Sequence, residues 1–140
     1  MIMNRIWAMP NPNTFHIKPI GNLIERYDFY TPEYAEQWYF SIDPFARNNK
    51  IAMSTNDIDP STTADSHLDA LDFLKIYDDN YCDLVLFDPP YSPRQVSECY
   101  KKLGKTVNME TTQSSFWSKM KDEVARITKK GWYVISFWWN

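Results

Sequence analysis

Glycine, cysteine and histidine are all scarce in this chain. Three glycines in 140 residues, against an aromatic share of 16%, describe a well-packed globular protein and exclude a disordered one. Two cysteines exclude a disulfide framework: Cys82 enters an apolar run and Cys99 lies on the apolar face of a helical pattern, so both read as reduced core residues. Two histidines without paired Cys/His spacing give no metal centre. Long hydrophobic runs are missing as well. No stretch approaches membrane-spanning length, and the opening Met1-Ile2-Met3-Asn4-Arg5-Ile6-Trp7 has no extended apolar region of a signal peptide. A cytoplasmic protein with no membrane partner is therefore the expectation.

Positive charge is short in one part of the chain only. Residues 1–93 carry 6 Lys and Arg against 14 Asp and Glu, net −8, whereas residues 94–140 carry 9 against 4, net +5. An acidic part suits a cationic ligand and a basic part suits phosphate, with solvated helix faces as the plainer alternative.

What is present centres on Asp83-Leu84-Val85-Leu86-Phe87-Asp88-Pro89-Pro90-Tyr91. Four apolar residues after Asp83 predict a buried parallel strand, and the two prolines, which have no N–H for a ladder, end it at Asp88. Each proline fixes its own φ and Pro89 is held extended by Pro90, so the chain leaves the strand as a stiff bracket. Asp88 offers a carboxylate, Pro89 a carbonyl and Tyr91 an aromatic face. Together they can accept both hydrogens of an exocyclic amine and stack on the ring that carries it.

Asp88-Pro89-Pro90-Tyr91 after an apolar strand resembles the D-P-P-Y motif of S-adenosylmethionine-dependent amino-methyltransferases, above all those acting on N6 of adenine in DNA. The resemblance implies a class I methyltransferase-like, Rossmann-like α/β fold with a mostly parallel sheet and flanking helices. It further implies S-adenosylmethionine as cofactor and nucleic acid as partner, DNA first and RNA second, with Asp88, Pro89, Pro90 and Tyr91 as the catalytic bracket. A second stretch, Trp38 to Ala46, ends an apolar run in Asp43-Pro44-Phe45-Ala46 and resembles the family's cofactor motif D-P-F-A-G-S-G. Its first four letters match, while Arg47-Asn48-Asn49 stands where the glycines belong and where close backbone approach favours glycine.

The next predicted strand, Ile51 to Thr55, leads into Asp57, which matches the acidic residue that accepts the ribose hydroxyls of a nucleotide. His67 to Leu74 resembles the family's third motif, in which an Asp-Ala pair, here Asp69-Ala70, receives the cofactor's adenine amine; Asp69 also reads as an ordinary helix cap. Asp43, Asp57, Asp69 and Asp88 thus follow four expected strand ends, which in an open parallel sheet share one edge. The resemblance adds Phe15 and Lys18, in the segment before the first strand, to the cofactor residues Asp43, Pro44, Phe45, Asp57, Asp69 and Ala70.

The whole chain reads as one methyltransferase-like domain, with residues 1–38 a preamble and residues 39–140 the sheet core. In the preamble, Phe15 to Ile20 reads as a short extended piece, Leu23, Ile24 and Tyr27 as one helical face, and Thr31-Pro32 as the start of a second helix. The short links Pro44 to Lys50 and Pro60 to Ser66 leave no room for the usual crossover helices, so either they cross without one or the strands pair differently. After the bracket, Ser92 and Pro93 open a helix that Gly104 closes, and a second helix carries Phe116, Trp117, Met120, Val124 and Ile127 inward until Gly131. Trp132 to Trp139 then reads as a fifth buried strand. The family's last antiparallel strand pair has no counterpart, and the preamble, a second subunit such as a homodimer partner, or further sequence should cover that strand. Arg94, Lys101, Lys102 and Lys105 are the expected phosphate contacts. A non-catalytic methyltransferase-like subunit is the rival reading.

Overall fold

The computed structural model describes residues 14–27, 39–90, 93–104 and 114–136. The chain divides into two compact units, Met1–Tyr39 and Phe40–Asn140. In the first, a 3-10 turn at Thr14–His16 leads into α1, Lys18–Tyr27, so the extended piece expected over 15–20 is helical instead. Pro19 is compatible with this because it sits in the first turn, where backbone N–H groups have no intrahelical acceptor to lose. Phe15 and Ile24 are buried. The helix expected from Thr31 to Trp38 lies outside the described residues.

In the second unit, four parallel strands form a sheet ordered β2-β1-β3-β4: β1 Ser41–Asp43, β2 Ser54–Thr55, β3 Cys82–Phe87 and β4 Thr128–Ser136. β3 is buried at all six positions, which is what an apolar run in the middle of a parallel sheet requires. β1 is shorter than the run from Trp38 to Ala46 because Pro44 brings no N–H to the ladder. It pairs with β2 through Ile42 and Ser54 and with β3 through Ile42 and Val85. The short link therefore does join parallel neighbours without a helix. An isolated parallel bridge, Asn56 to Ser66, is all that stands in the place of a third consecutive strand.

Among the described residues of this unit there are three helices: α2 Ala70–Lys75, α3 Pro93–Lys102 and α4 Ser114–Ile127. Phe73 and Leu74 of α2 and Met120, Val124 and Ile127 of α4 pack with Ile42 and Val85 into one core. Arg126 staples the two helices. It pairs with Asp79 and Glu123, both at 2.7 Å, and donates to the Leu74 carbonyl at 3.5 Å. Gly104, with φ 65, follows α3 as the sequence requires of a helix-terminating glycine.

The final strand departs from expectation. α4 ends at Ile127 rather than at Gly131, and β4 begins at the next residue. Between Cys82↔Thr128 and Leu84↔Tyr133, β4 advances five positions while β3 advances two, so the surplus loops out through Gly131 at φ 82. Nor is the strand buried: Trp132, Tyr133 and Val134 are 37%, 38% and 42% exposed, and Ile135 alone of its described core-type residues is buried. At the base of the loop Lys129 Nζ donates to both oxygens of Asp83, at 2.9 and 3.0 Å, and Asp83 Oδ2 also accepts the Phe40 N–H at 2.8 Å. This answers a charge that would otherwise be stranded, since Asp83 is 2% exposed.

Candidate functional site

The chain runs from β1 outward to β2 and then returns to the other side of β1 as β3. That reversal makes the carboxyl ends of β1 and β3 a topological switch point, the place where open α/β sheets form their ligand crevices. The two loops there are Asp43-Pro44-Phe45 and Asp88-Pro89-Pro90. Phe45 of the first loop meets Phe87, the last residue of β3, edge-on with ring centroids 5.7 Å apart. Pro44 and Pro89 are buried, whereas Asp88 and Pro90 are half-buried.

Asp43 is the last residue of β1 and is 1% exposed. Its Oδ1 accepts the Phe45 N–H at 2.9 Å, while its Oδ2 is buried with no hydrogen-bond partner among the described residues. Burial, with smaller repulsion from Asp88 and Asp57, pushes the carboxyl from 3.8 up to about 7 against the opposing Phe45 hydrogen bond. Among the described residues no group of His, Cys, Asp and Glu is placed to hold a metal ion.

The wall on the β2 side is built by polar side chains. Asn56, fully buried, donates to the carbonyls of Pro44 and Leu68 at 3.3 and 3.0 Å and accepts from Ser66 Oγ and the Leu68 N–H at 2.8 and 2.9 Å. All four of its hydrogen-bonding positions are used. It thereby ties the loop after β1 to the approach to α2. Asp57 accepts the Arg47 N–H at 3.0 Å and the Asp59 N–H at 2.9 Å, which fixes the loop that stands where glycines were expected. In that loop Arg47 itself takes the left-handed conformation, φ 53, rather than either asparagine.

Asp69 is set differently from the other three acids, since no strand precedes it. It caps α2, its Oδ1 accepting the Leu71 N–H at 3.0 Å, and its Oδ2 accepts the Tyr100 hydroxyl of α3 at 2.5 Å. Ala70 opens α2 and is buried. The structure thus gathers Asp43, Pro44, Phe45, Asp57, Asp88, Pro89 and Pro90 at one edge, and links Asp69 and Ala70 to it through Asn56 and Leu68. Arg94, exposed and paired with Glu98 at 2.9 Å, and exposed Lys101 lie on α3. Tyr91, Lys105 and the Lys102 side chain lie outside the described residues. Phe15, buried, and Lys18, exposed, belong to the first unit.

Two organising residues have partners that no sequence pattern names, although Tyr100 falls on the apolar stripe of α3 with Val96, Cys99 and Leu103. Asn56 and Tyr100 act through tertiary hydrogen bonds, and the hint for Asn56 was only its place beside a strand end. No family model, curated protein or solved structure matches the chain.

Proposed function

We propose that the crevice between β1 and β3 serves methyl transfer from S-adenosylmethionine to an exocyclic amine, adenine N6 in DNA in the first instance and RNA in the second. The observation that carries this reading is the strand order. By reversing between β1 and β3 it brings Asp-Pro-Phe and Asp-Pro-Pro, far apart in sequence, to neighbouring strand ends, which supports a shared site there. The donor set supports the reading through a buried Asp43 oxygen without a partner among the described residues, the Phe45 ring, and the Asp57 and Asp69 carboxylates, whose oxygens each accept one hydrogen bond and keep a second lone pair for hydroxyls and amine. Asp43, Asp57 and Asp69 would hold it. Bound there, the cofactor supplies a methyl group on a positively charged sulfur, which needs no strong base to accept a nucleophile.

The chain's own part is positioning. The Asp88 carboxylate and the Pro89 carbonyl accept the two amine hydrogens, which turns the nitrogen lone pair toward the crevice, and the prolines hold both acceptors without a mobile hinge. A base in a duplex must first be flipped out of the stack. Arg94, Lys101, Lys102 and Lys105 would guide phosphates toward the bracket.

A non-catalytic methyltransferase-like subunit is the second reading. Arg47 favours it, because a side chain occupies a left-handed position where glycine would let the protein backbone approach the cofactor closely. Calorimetry with S-adenosylmethionine and its demethylated product separates the two. Saturable binding supports the enzyme, and no heat at millimolar ligand supports the subunit.

A further inference from the structure

Tyr100 stands on α3 and Asp69 caps α2, and the Tyr100 hydroxyl donates to Asp69 Oδ2 at 2.5 Å. A hydrogen bond from a hydroxyl to a carboxylate is charge-assisted and roughly twice as strong as a neutral one. The other oxygen, Oδ1, is held by the Leu71 N–H at 3.0 Å. The carboxylate is thus fixed from both sides, and each oxygen keeps a lone pair for a further donor. The two helices serve different halves of the proposed reaction. α2 follows the segment that Asn56 ties to the loop after β1, whereas α3 starts at Pro93, close after the bracket, and carries Arg94 and Lys101. A shift of α3 that breaks the Tyr100 bond frees the Asp69 carboxylate to turn. A ligand that needs Asp69 in its present orientation therefore binds better while α3 is held.

We propose that Tyr100 is a positioning residue that couples the two halves. By holding Asp69 it readies the cofactor side, and through the same hydrogen bond an occupied cofactor side keeps α3, with its phosphate-binding cations, in place for nucleic acid. The proposal rests on the reading above and adds to it cooperation between the two ligands. Each tightens the other by the same factor, as linkage requires.

Calorimetry on the intact chain tests it, measuring the affinity for S-adenosylhomocysteine, the demethylated cofactor, with and without a saturating DNA duplex that contains adenine. The parent should bind about tenfold more tightly with the duplex present. Tyr100→Phe keeps the ring and removes the hydroxyl, and should bring that ratio close to unity. Asp69→Asn caps α2 through its oxygen but offers Tyr100 an NH2 instead of an acceptor, so it should lower the ratio too. In that background Tyr100→Phe should change nothing further, because Tyr100 acts through Asp69. A variant that merely loosens the fold weakens both ligands and leaves the ratio alone. Equal ratios in the parent and Tyr100→Phe, or a parental ratio of unity, overturn the coupling while cofactor binding stands. If S-adenosylhomocysteine does not bind the parent, the cofactor reading and the coupling fall together. If the duplex does not bind, amide exchange over residues 94–102 replaces it: S-adenosylhomocysteine should slow that exchange in the parent and not in Tyr100→Phe, and equal slowing or none overturns the coupling. If Tyr100→Phe does not fold, Asp69→Asn takes its place in both measurements.

Discussion

Replacing Asp43 by asparagine should change not only the stability of the fold but its dependence on pH. The folded chain holds the Asp43 proton until about pH 7, whereas an unfolded chain releases it near 3.8. Between these values the native state binds more protons than the unfolded state, so stability falls as pH rises. The contribution is complete below about pH 4 and gone once pH has passed about 7. At about 1.4 kcal/mol for each factor of ten, the whole window is worth on the order of 4 kcal/mol. Asparagine has the shape of the protonated acid, keeps an oxygen for the Phe45 N–H and cannot ionise. The variant should therefore gain on the parent by about 3 kcal/mol between pH 4.5 and pH 8. Urea unfolding of both proteins at several pH values measures this as a divergence of midpoints with equal slopes. Two curves that run parallel across the range would refute the claim that Asp43 is buried without a counter-charge.

Arg47→Gly should stabilise by about 0.5–1 kcal/mol, since the left-handed strain of about 1–2 kcal/mol exceeds the extra entropy glycine loses on folding; urea midpoints check it, and a destabilised variant would contradict the backbone assignment. Lys129→Met should cost about 3 kcal/mol by leaving buried Asp83 without its cation, and adding Asp83→Asn should recover part of that in a double-mutant cycle. Asp88→Ala and Tyr91→Ala should each depress methyl transfer while sparing cofactor binding, the lost stacking at Tyr91 alone amounting to about 1–3 kcal/mol; parental rates in both would remove the bracket from the chemistry. Neutralising Arg94, Lys101, Lys102 and Lys105 together should weaken DNA binding regardless of sequence and flatten its log–log salt dependence by roughly one unit per lost phosphate contact. Unchanged titrations would reduce these charges to a solvated face.

The parts legible in the sequence are those governed by local rules. The run Leu84 to Phe87 against two prolines marks both β3 and its end, and Pro93 with Gly104 brackets α3 because proline favours a helix start and glycine a left-handed stop. The spacing of Met120, Val124 and Ile127 likewise gives the buried stripe of α4. Other features escaped because tertiary structure overrides the pattern. The apolar run Trp132 to Trp139 reads as a buried strand, but burial depends on having neighbours on both sides, and β4 has β3 on one side among the described strands. At the site, acids near strand ends were readable from spacing, yet the Asp69 carboxylate is engaged by Tyr100, thirty-one residues away. No window of sequence contains that pair.

The β1–β2 side of the sheet is held mainly by side-chain hydrogen bonds, and this bears on how the molecule opens. Ser41 accepts the Met53 N–H at 3.0 Å, Asn49 the Ile51 N–H at 3.0 Å, and Asp65 both the N–H and the hydroxyl of Thr55 at 2.9 and 2.6 Å. Undoing such bonds bares little apolar surface, so this half should detach in small steps with weak denaturant dependence and exchange its amide hydrogens ahead of β3 and α4. Acid should loosen it first. The hydrogen bonds from Lys50 and Thr55 hold the Asp65 carboxyl down to about 2, and the support they give is present above about pH 4 and lost as pH falls toward 2. Asp43 works in the opposite sense, since acid strengthens its place in the fold. The stretch of residues 41–66 thus contains one carboxyl that acid secures and another that acid releases, and its amide protection, corrected for the intrinsic exchange rate, should be greatest at an intermediate pH.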